Sequence, residues 1–295
     1  MTTFLVTGGS GFLGAEVCRQ LEKMGGKVLD LSINCLHSKT HESYDIDITR
    51  FDQLEQVFKS HQVDVIVHLA SLLTTQSNLH PELAFRVNVL GSQNLLEITR
   101  QFGIQRCVYA SSFSSIGYHP YEGYAADETV VQTPDNFYGE TKRFVEKIGQ
   151  SYADKFGFQF IAGRLGSLVG PGQSTPTSAW RMDIFNLLKS GGKIEIKFAP
   201  QTALVLSHLT DTARAFVTLA SADKVRHSTY HLPHDLIKAE ELGKIVQSLC
   251  SDIEVTFGTA IGQDMPSVIS TEQFMREFNF QATPLAEALK QFQAS

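Results

Sequence analysis

Gly8, Gly11 and Gly14 constrain this 295-residue chain more than any other feature, because they stand directly behind an apolar run at 3–7 and directly ahead of an amphipathic stretch over 12–24. A strand that turns on glycines into a helix is the context that a dinucleotide fingerprint requires. In that geometry Gly8 makes the tight turn, Gly11 lets a diphosphate come close to the backbone, and Gly14 lets the helix close on the sheet. The helix start, at Phe12, Leu13 and Gly14, then turns free N–H groups and the positive end of its dipole toward the phosphates.

The following segments alternate as a parallel α/β chain requires. A second strand over 27–32 should carry the acid that binds the adenosine ribose. Asp30 is present but sits early in it, and Ser32 holds the expected end. Asp30 at the ribose favours NAD, whereas Ser32 relaxes selectivity toward NADP. No arginine follows at once to hold a 2′-phosphate, so the reading is NAD, with NADP not excluded. A short third strand ends at Asp47-Ile48, where Asp47 either accepts from the adenine amine or caps the helix that starts near Phe51. The run at 63–69 is almost continuously apolar, as in a central strand buried on both faces. Its end, His68-Leu69-Ala70-Ser71, is placed beneath the cofactor. A helical pattern over 81–102 contains Asn88, and the next strand, 107–110, delivers Ser111 and Ser112 to its carboxyl end, where open α/β sheets bind ligands. Another apolar strand over 158–163 closes with Arg164.

The expected fold is a Rossmann-type doubly wound parallel sheet over 1–168, to which 203–232 returns. Gly, Pro, Ser and Thr accumulate over 166–178, where the cofactor scaffold is expected to give way to substrate-facing segments.

Tyr138-Gly-Glu-Thr-Lys142 sets a phenol and an ammonium four residues apart. On a helix over 136–156 that spacing stacks both on one face. A free phenol, with a pKa of about 10, is a poor base at neutral pH, and a nearby cation lowers that value. Tyr138 is therefore expected to exchange a proton with a substrate hydroxyl or carbonyl in the field of Lys142. Ser112 is placed to hydrogen-bond the oxygen on which chemistry occurs.

Composition removes other classes. The net charge of -6, with no basic block, argues against nucleic-acid binding. No apolar run reaches membrane-spanning length, and the N-terminus shows neither a basic n-region nor a cleavage site, so a cytoplasmic protein is expected. The four cysteines form no C-x-x-C pair and read as reduced thiols. His227, His231 and His234 cluster without the thiols or the helix-borne H-E-x-x-H motif of a zinc site, so no metal is expected.

Together, Thr7-Gly-Gly-Ser-Gly-Phe-Leu-Gly14, Asp47-Ile48, His68-Leu-Ala70, Asn88-Val-Leu-Gly91, Tyr109-Ala-Ser-Ser112, Tyr138 to Lys142, Arg164 and Gly170-Pro-Gly172 resemble the extended short-chain dehydrogenase/reductase family, also called the NAD-dependent epimerase/dehydratase family. The resemblance implies Tyr138 as general acid/base, Lys142 holding the nicotinamide ribose, Ser112 positioning the substrate oxygen, and Asn88 supporting the site. It places Asp47, Ile48, Leu69, Ala70, Ser71 and Arg164 around the cofactor. It also implies that 169–295 forms mainly a small, discontinuous α/β substrate lobe, and it implies a homodimer paired through the 81–102 and 137–156 helices. Nucleotide-sugar members usually carry an arginine where this chain has Ala203-Leu-Val-Leu206, and the dehydratases carry Asp-Glu where Phe113-Ser114 follow Ser112. Both departures point to hydride transfer at a secondary alcohol or ketone of a small sugar acid, polyol or related molecule. A nucleotide-sugar epimerase is the second reading, and a non-catalytic cofactor-binding regulator the third.

Overall fold

Seven strands form the main sheet, in the order Thr229–His231, Gln159–Leu165, β5 (Arg106–Ser112), β4 (Val65–His68), β1 (Thr3–Thr7), β2 (Lys27–Ser32) and β3 (Glu42–Asp45). Their registered pairings are parallel. The computed structural model in which they lie describes residues 1–35, 40–117, 125–172, 179–260, 266 and 268–294. The order steps outward from β1 in both directions, so the crevice where it reverses lies at the carboxyl ends of β1 and β4, above the glycines. The four residues of β4 are all buried, which explains the unbroken apolar run Val65-Ile66-Val67 that precedes His68.

Two helices explain why the site is held firmly. Helix α1 (Phe12–Lys23) buries Leu13, Val17, Cys18 and Leu21 at helical spacing and ends where Gly25 takes φ +88°. The helix Phe137–Phe156 starts on Asn136, whose side chain accepts from Gly139 N–H at 2.9 Å, and stops at Gly157 with φ +78°. The helical stretch expected over 81–102 is continuous but not regular. A π-helical segment, Phe85–Gly91, separates Pro81–Ala84 from Ser92–Gln101. Such π insertions are often found at functional sites, and Asn88 lies inside this one.

The chain divides into two compact units. The first comprises Met1–Gly117, Glu128–Arg164 and Ala213–His231, and the second Tyr118–Asp127, Leu165–Thr212 and Leu232–Ser295. The return to the sheet thus begins at Ala213 and not at 203. Ala203–His208 instead pairs with Ser167–Val169 and Asp235–Lys238 in a three-stranded sheet of the second unit. The second unit also holds the parallel pair Gly192–Phe198 and Ile253–Ala260, and its core gathers Trp180, Ile184, Phe185, Leu242 and Leu289. Part of the Gly/Pro/Ser/Thr-rich stretch, residues 173–178, lies outside the described residues.

Candidate dinucleotide and proton-transfer site

The glycine turn has the shape of a cradle that side chains would fill. Gly8 takes φ +74°, and a Cβ there would stand 3.0 Å from the Ala70 nitrogen. A Cβ at Gly14 would stand 1.9 Å from the Gly8 carbonyl oxygen. Helix α1 opens on Gly11 with no side-chain cap, which leaves the N–H groups of Phe12, Leu13 and Gly14 to an anion. The cradle therefore fits a dinucleotide diphosphate. Leu69 and Ala70 close it from β4, their N–H groups donating to the Thr7 carbonyl at 3.1 Å and to Thr7 Oγ1 at 3.3 Å.

Two residues expected on the adenosine side have their side chains turned inward. Asp30 is wholly buried, and both its oxygens are taken, Oδ2 by the Ser10 hydroxyl and Oδ1 by the Ser32 hydroxyl, each at 2.6 Å. It sits two residues before the end of β2 and lies beneath the glycine loop, under Gly9. Ile48 is 4% exposed and packs where a Cβ on Gly91 would stand 2.7 Å from its Cδ1, so it belongs to the core. Asp47 does not cap the helix Phe51–Ser60, whose N-cap is Arg50. It braces the preceding turn, with Oδ1 accepting from Thr49 N–H at 2.9 Å.

Beneath the crevice, His68 ties three elements together. The Ser92 hydroxyl donates to the Asn88 carbonyl at 2.5 Å, so it must accept from His68 Nε2–H at 2.9 Å. Nδ1 is then the acceptor, and Thr7 Oγ1 donates to it at 2.7 Å. Burial holds this imidazole neutral, its pKa lowered to about 3, with the Lys142 cation adding to the effect. Asn88 is equally committed. Its Oδ1 accepts from Leu72 N–H at 2.7 Å and Ser71 Oγ at 3.1 Å, while Nδ2 donates to the Leu72 carbonyl at 3.0 Å and to Thr141 Oγ1 at 3.2 Å. With its amide filled, Asn88 is a positioning residue that joins the end of β4 to the Tyr138 helix, one residue before Lys142.

The structure brings Ser112, Tyr138 and Lys142 together. The Ser112 hydroxyl lies close enough to the phenol to favour its ionised form, and it accepts from Ser114 N–H at 3.1 Å. Lys142 Nζ donates to the Ala110 carbonyl at 2.8 Å and lies 4.8 Å from the Tyr109 ring centroid and 5.4 Å from that of Tyr138. The expected depression of the phenol does not occur in this arrangement. Burial pushes Tyr138 up to about 12, opposed only by the Ser112 hydroxyl, and burial pulls Lys142 down to about 7 despite the neighbouring Glu146 carboxylate. Desolvation disfavours both charged forms, so it acts on an acid and a base in opposite directions.

Arg164 is turned inward as well. Its guanidinium faces the interior, 3% exposed, with Nε and Nη2 donating to Glu146 at 3.0 and 2.7 Å and Nη1 3.2 Å from His231 Nε2. It anchors Glu146. Glu146 was missed by sequence reasoning, although the spacing Lys142 to Glu146 is one helical turn and readable. The Ser111 and Ser115 hydroxyls and the Gln132 amide also donate to this carboxylate. Of the clustered histidines, His231 is buried beside Arg164, and His234 Nδ1 lies 3.0 Å from the Leu232 carbonyl. Among the described residues, no group of His, Cys, Asp or Glu is arranged to hold a metal ion, and no helix is long and apolar enough to cross a membrane.

The model of the "NAD dependent epimerase/dehydratase family" matches residues 4–232. A UDP-glucuronate 4-epimerase of Thermodesulfobacterium geofontis is 30% identical over 200 residues, which span 61% of this chain and 60% of that protein. The mitochondrial L-threonine 3-dehydrogenase of Bos taurus is 24% identical over 263 residues, spanning 86% of this chain and 70% of the relative. The Thermus thermophilus UDP-glucose 4-epimerase, solved in complex with NAD, shares the fold at a TM-score of 0.84 and 22% identity, covering 99% of this chain and 98% of that one.

Proposed function

Because the chain belongs to the NAD dependent epimerase/dehydratase family, we propose that it is an NAD-dependent oxidoreductase acting at a secondary alcohol or ketone of a small polar molecule. The supporting observation is the meeting of Ser112, Tyr138 and Lys142 at the carboxyl end of β5, in the same unit as the glycine cradle. Bound NAD supplies the hydride acceptor. Ser112 orients the substrate oxygen by hydrogen bonding. Tyr138 exchanges the proton of that oxygen: it donates to a carbonyl during reduction and, once ionised, takes the hydroxyl proton during oxidation. Lys142 orients the nicotinamide ribose, and Asn88 holds the Tyr138 helix in place through Thr141.

The substrate class follows from what the chain lacks and from which relatives it spans. No arginine stands in Ala203-Leu-Val-Leu206 to grip a nucleotide diphosphate. The relative that acts on L-threonine, itself a small secondary alcohol, matches more of this chain than the UDP-glucuronate epimerase does. Sugar acids, polyols and hydroxy amino acids are therefore the compounds to screen. The epimerase reading keeps the support of 30% identity over 61% of the chain. Retention of one tightly held nicotinamide through purification, with no alcohol yielding free NADH, would favour it.

Tyr138→Phe tests the catalytic assignment. Removing one buried hydroxyl should abolish turnover and leave NADH affinity within about fivefold, since a lost neutral hydrogen bond is worth only about 1 kcal/mol. Wild-type turnover in that variant would overturn it.

A further inference from the structure

The carboxylate that sequence position nominates for the adenosine ribose is spent elsewhere. Asp30 is 0% exposed, and each of its oxygens receives a hydroxyl proton, from Ser10 in the glycine loop and from Ser32 two residues along its own strand. It lies directly under Gly9, where a Cβ would stand 2.4 Å from its Oδ1. Ser32, having given its proton to Asp30, accepts from the Ser10 N–H at 3.0 Å. Asp30, Ser10 and Ser32 thus form a closed ring of hydrogen bonds that fixes the tip of the loop from below. Ser32, the last residue of β2, is neutral. Opposite it, at the end of β3, Asp45 has Oδ1 engaged by the Asn34 N–H at 3.0 Å.

We infer that Asp30 is a brace of the phosphate loop and not the ribose acceptor, and that β2 therefore presents no carboxylate against a 2′-phosphate, so the chain binds NAD and NADP alike. A carboxylate at the strand end selects NAD in two ways: it accepts from the ribose hydroxyl, and it repels the extra phosphate. Here both effects are missing at Ser32, and the diphosphate cradle common to the two cofactors does the binding. Gly9 is explained by the same arrangement, because only a residue without a side chain leaves room for Asp30 beneath it.

This inference rests on the dinucleotide reading of the site, and the test separates the two. NADH and NADPH are titrated separately into the wild-type protein, Asp30→Asn and Ser10→Ala, with binding followed by nicotinamide fluorescence and folding by far-UV circular dichroism. The wild-type dissociation constants should agree within about tenfold, the interval set by 1.4 kcal/mol. Asp30→Asn and Ser10→Ala should weaken NADH and NADPH by a common factor, leaving their ratio unchanged. A wild-type preference beyond tenfold would overturn the inference, as would loss of NADH binding alone in Asp30→Asn, which marks a ribose acceptor. Binding of neither cofactor by the folded wild-type protein would overturn the dinucleotide reading itself. Ser10→Ala is the milder change and keeps the test open if Asp30→Asn does not fold.

Discussion

Lys142 should make the ligand-free protein grow more stable as pH rises from neutral, and the size of that effect follows from its burial. The residue is 2% exposed, and burial brings its ammonium from 10.5 down to about 7. Between those values the unfolded chain binds the proton more tightly than the folded one, so stability increases with pH through this window. From pH 7 to 8.5 the linkage amounts to about 1.6 kcal/mol, and the full cost of the buried ammonium at pH 7 is about 4 kcal/mol. Lys142→Met removes the titrating group while filling most of its volume. The variant should be more stable than wild type at pH 7 by about 2–4 kcal/mol, the lost Ala110 hydrogen bond being worth only about 1 kcal/mol. That advantage should shrink by about 1.6 kcal/mol by pH 8.5. Urea denaturation of both proteins across this range measures it. The shifts of Cys18 and Cys107, raised by burial, act with the opposite sign and cancel in the difference. Parallel stability curves for the two proteins would show that Lys142 does not titrate from a desolvated position.

The pair Glu146 and Arg164, at 5% and 4% side-chain exposure, should couple strongly. Breaking it with Glu146→Gln or Arg164→Met alone should cost about 3–5 kcal/mol, because one buried charge is stranded, and the double variant should cost less than the sum by more than about 1 kcal/mol. Additive urea midpoints would refute this. We also propose that the exposed apolar side chains of Phe85, Leu90 and Phe144 mark a homodimer face on the Phe85–Gly91 and Phe137–Phe156 helices. Light scattering should then give twice the chain mass for the wild type and a single chain mass for Phe144→Arg, and a monomeric wild type would dismiss it.

The sheet was legible because each of its central strands is an apolar run bounded by a turn or helix signal, and the glycines could be placed by their neighbours alone. The second unit was harder. Gly192–Phe198 alternates Lys-Ile-Glu-Ile-Lys and pairs with Ile253–Ala260, a partner some 60 residues away that no local signal announces. At the site, residue types and their proximity were readable, but the direction of a side chain was not. Asp30 and Arg164 have the right chemistry for a cofactor but turn inward, Asp30 held by Ser10 of the glycine loop and by Ser32, and Arg164 by the buried Glu146. Glu146 is the counterexample, since its helical spacing from Lys142 could have been read directly.

The same burial that brings Tyr138 and Lys142 together also decides which form they take. With Tyr138 near 12 and Lys142 near 7, the ammonium gives up its proton before the phenol does, so raising the pH removes the cation before any phenolate forms. A lysine in this arrangement cannot by itself make Tyr138 a base. Without added polarity Tyr138 stays protonated, the form that under the proposed function donates to a carbonyl oxygen. Alcohol oxidation therefore demands that ligand binding bring polar or positive character against the phenol, which desolvation by the protein alone opposes. Coupling of cofactor binding to Tyr138 ionisation is the physical consequence, and the linkage sign follows: tighter binding of the ligand form that carries positive charge as the phenol loses its proton.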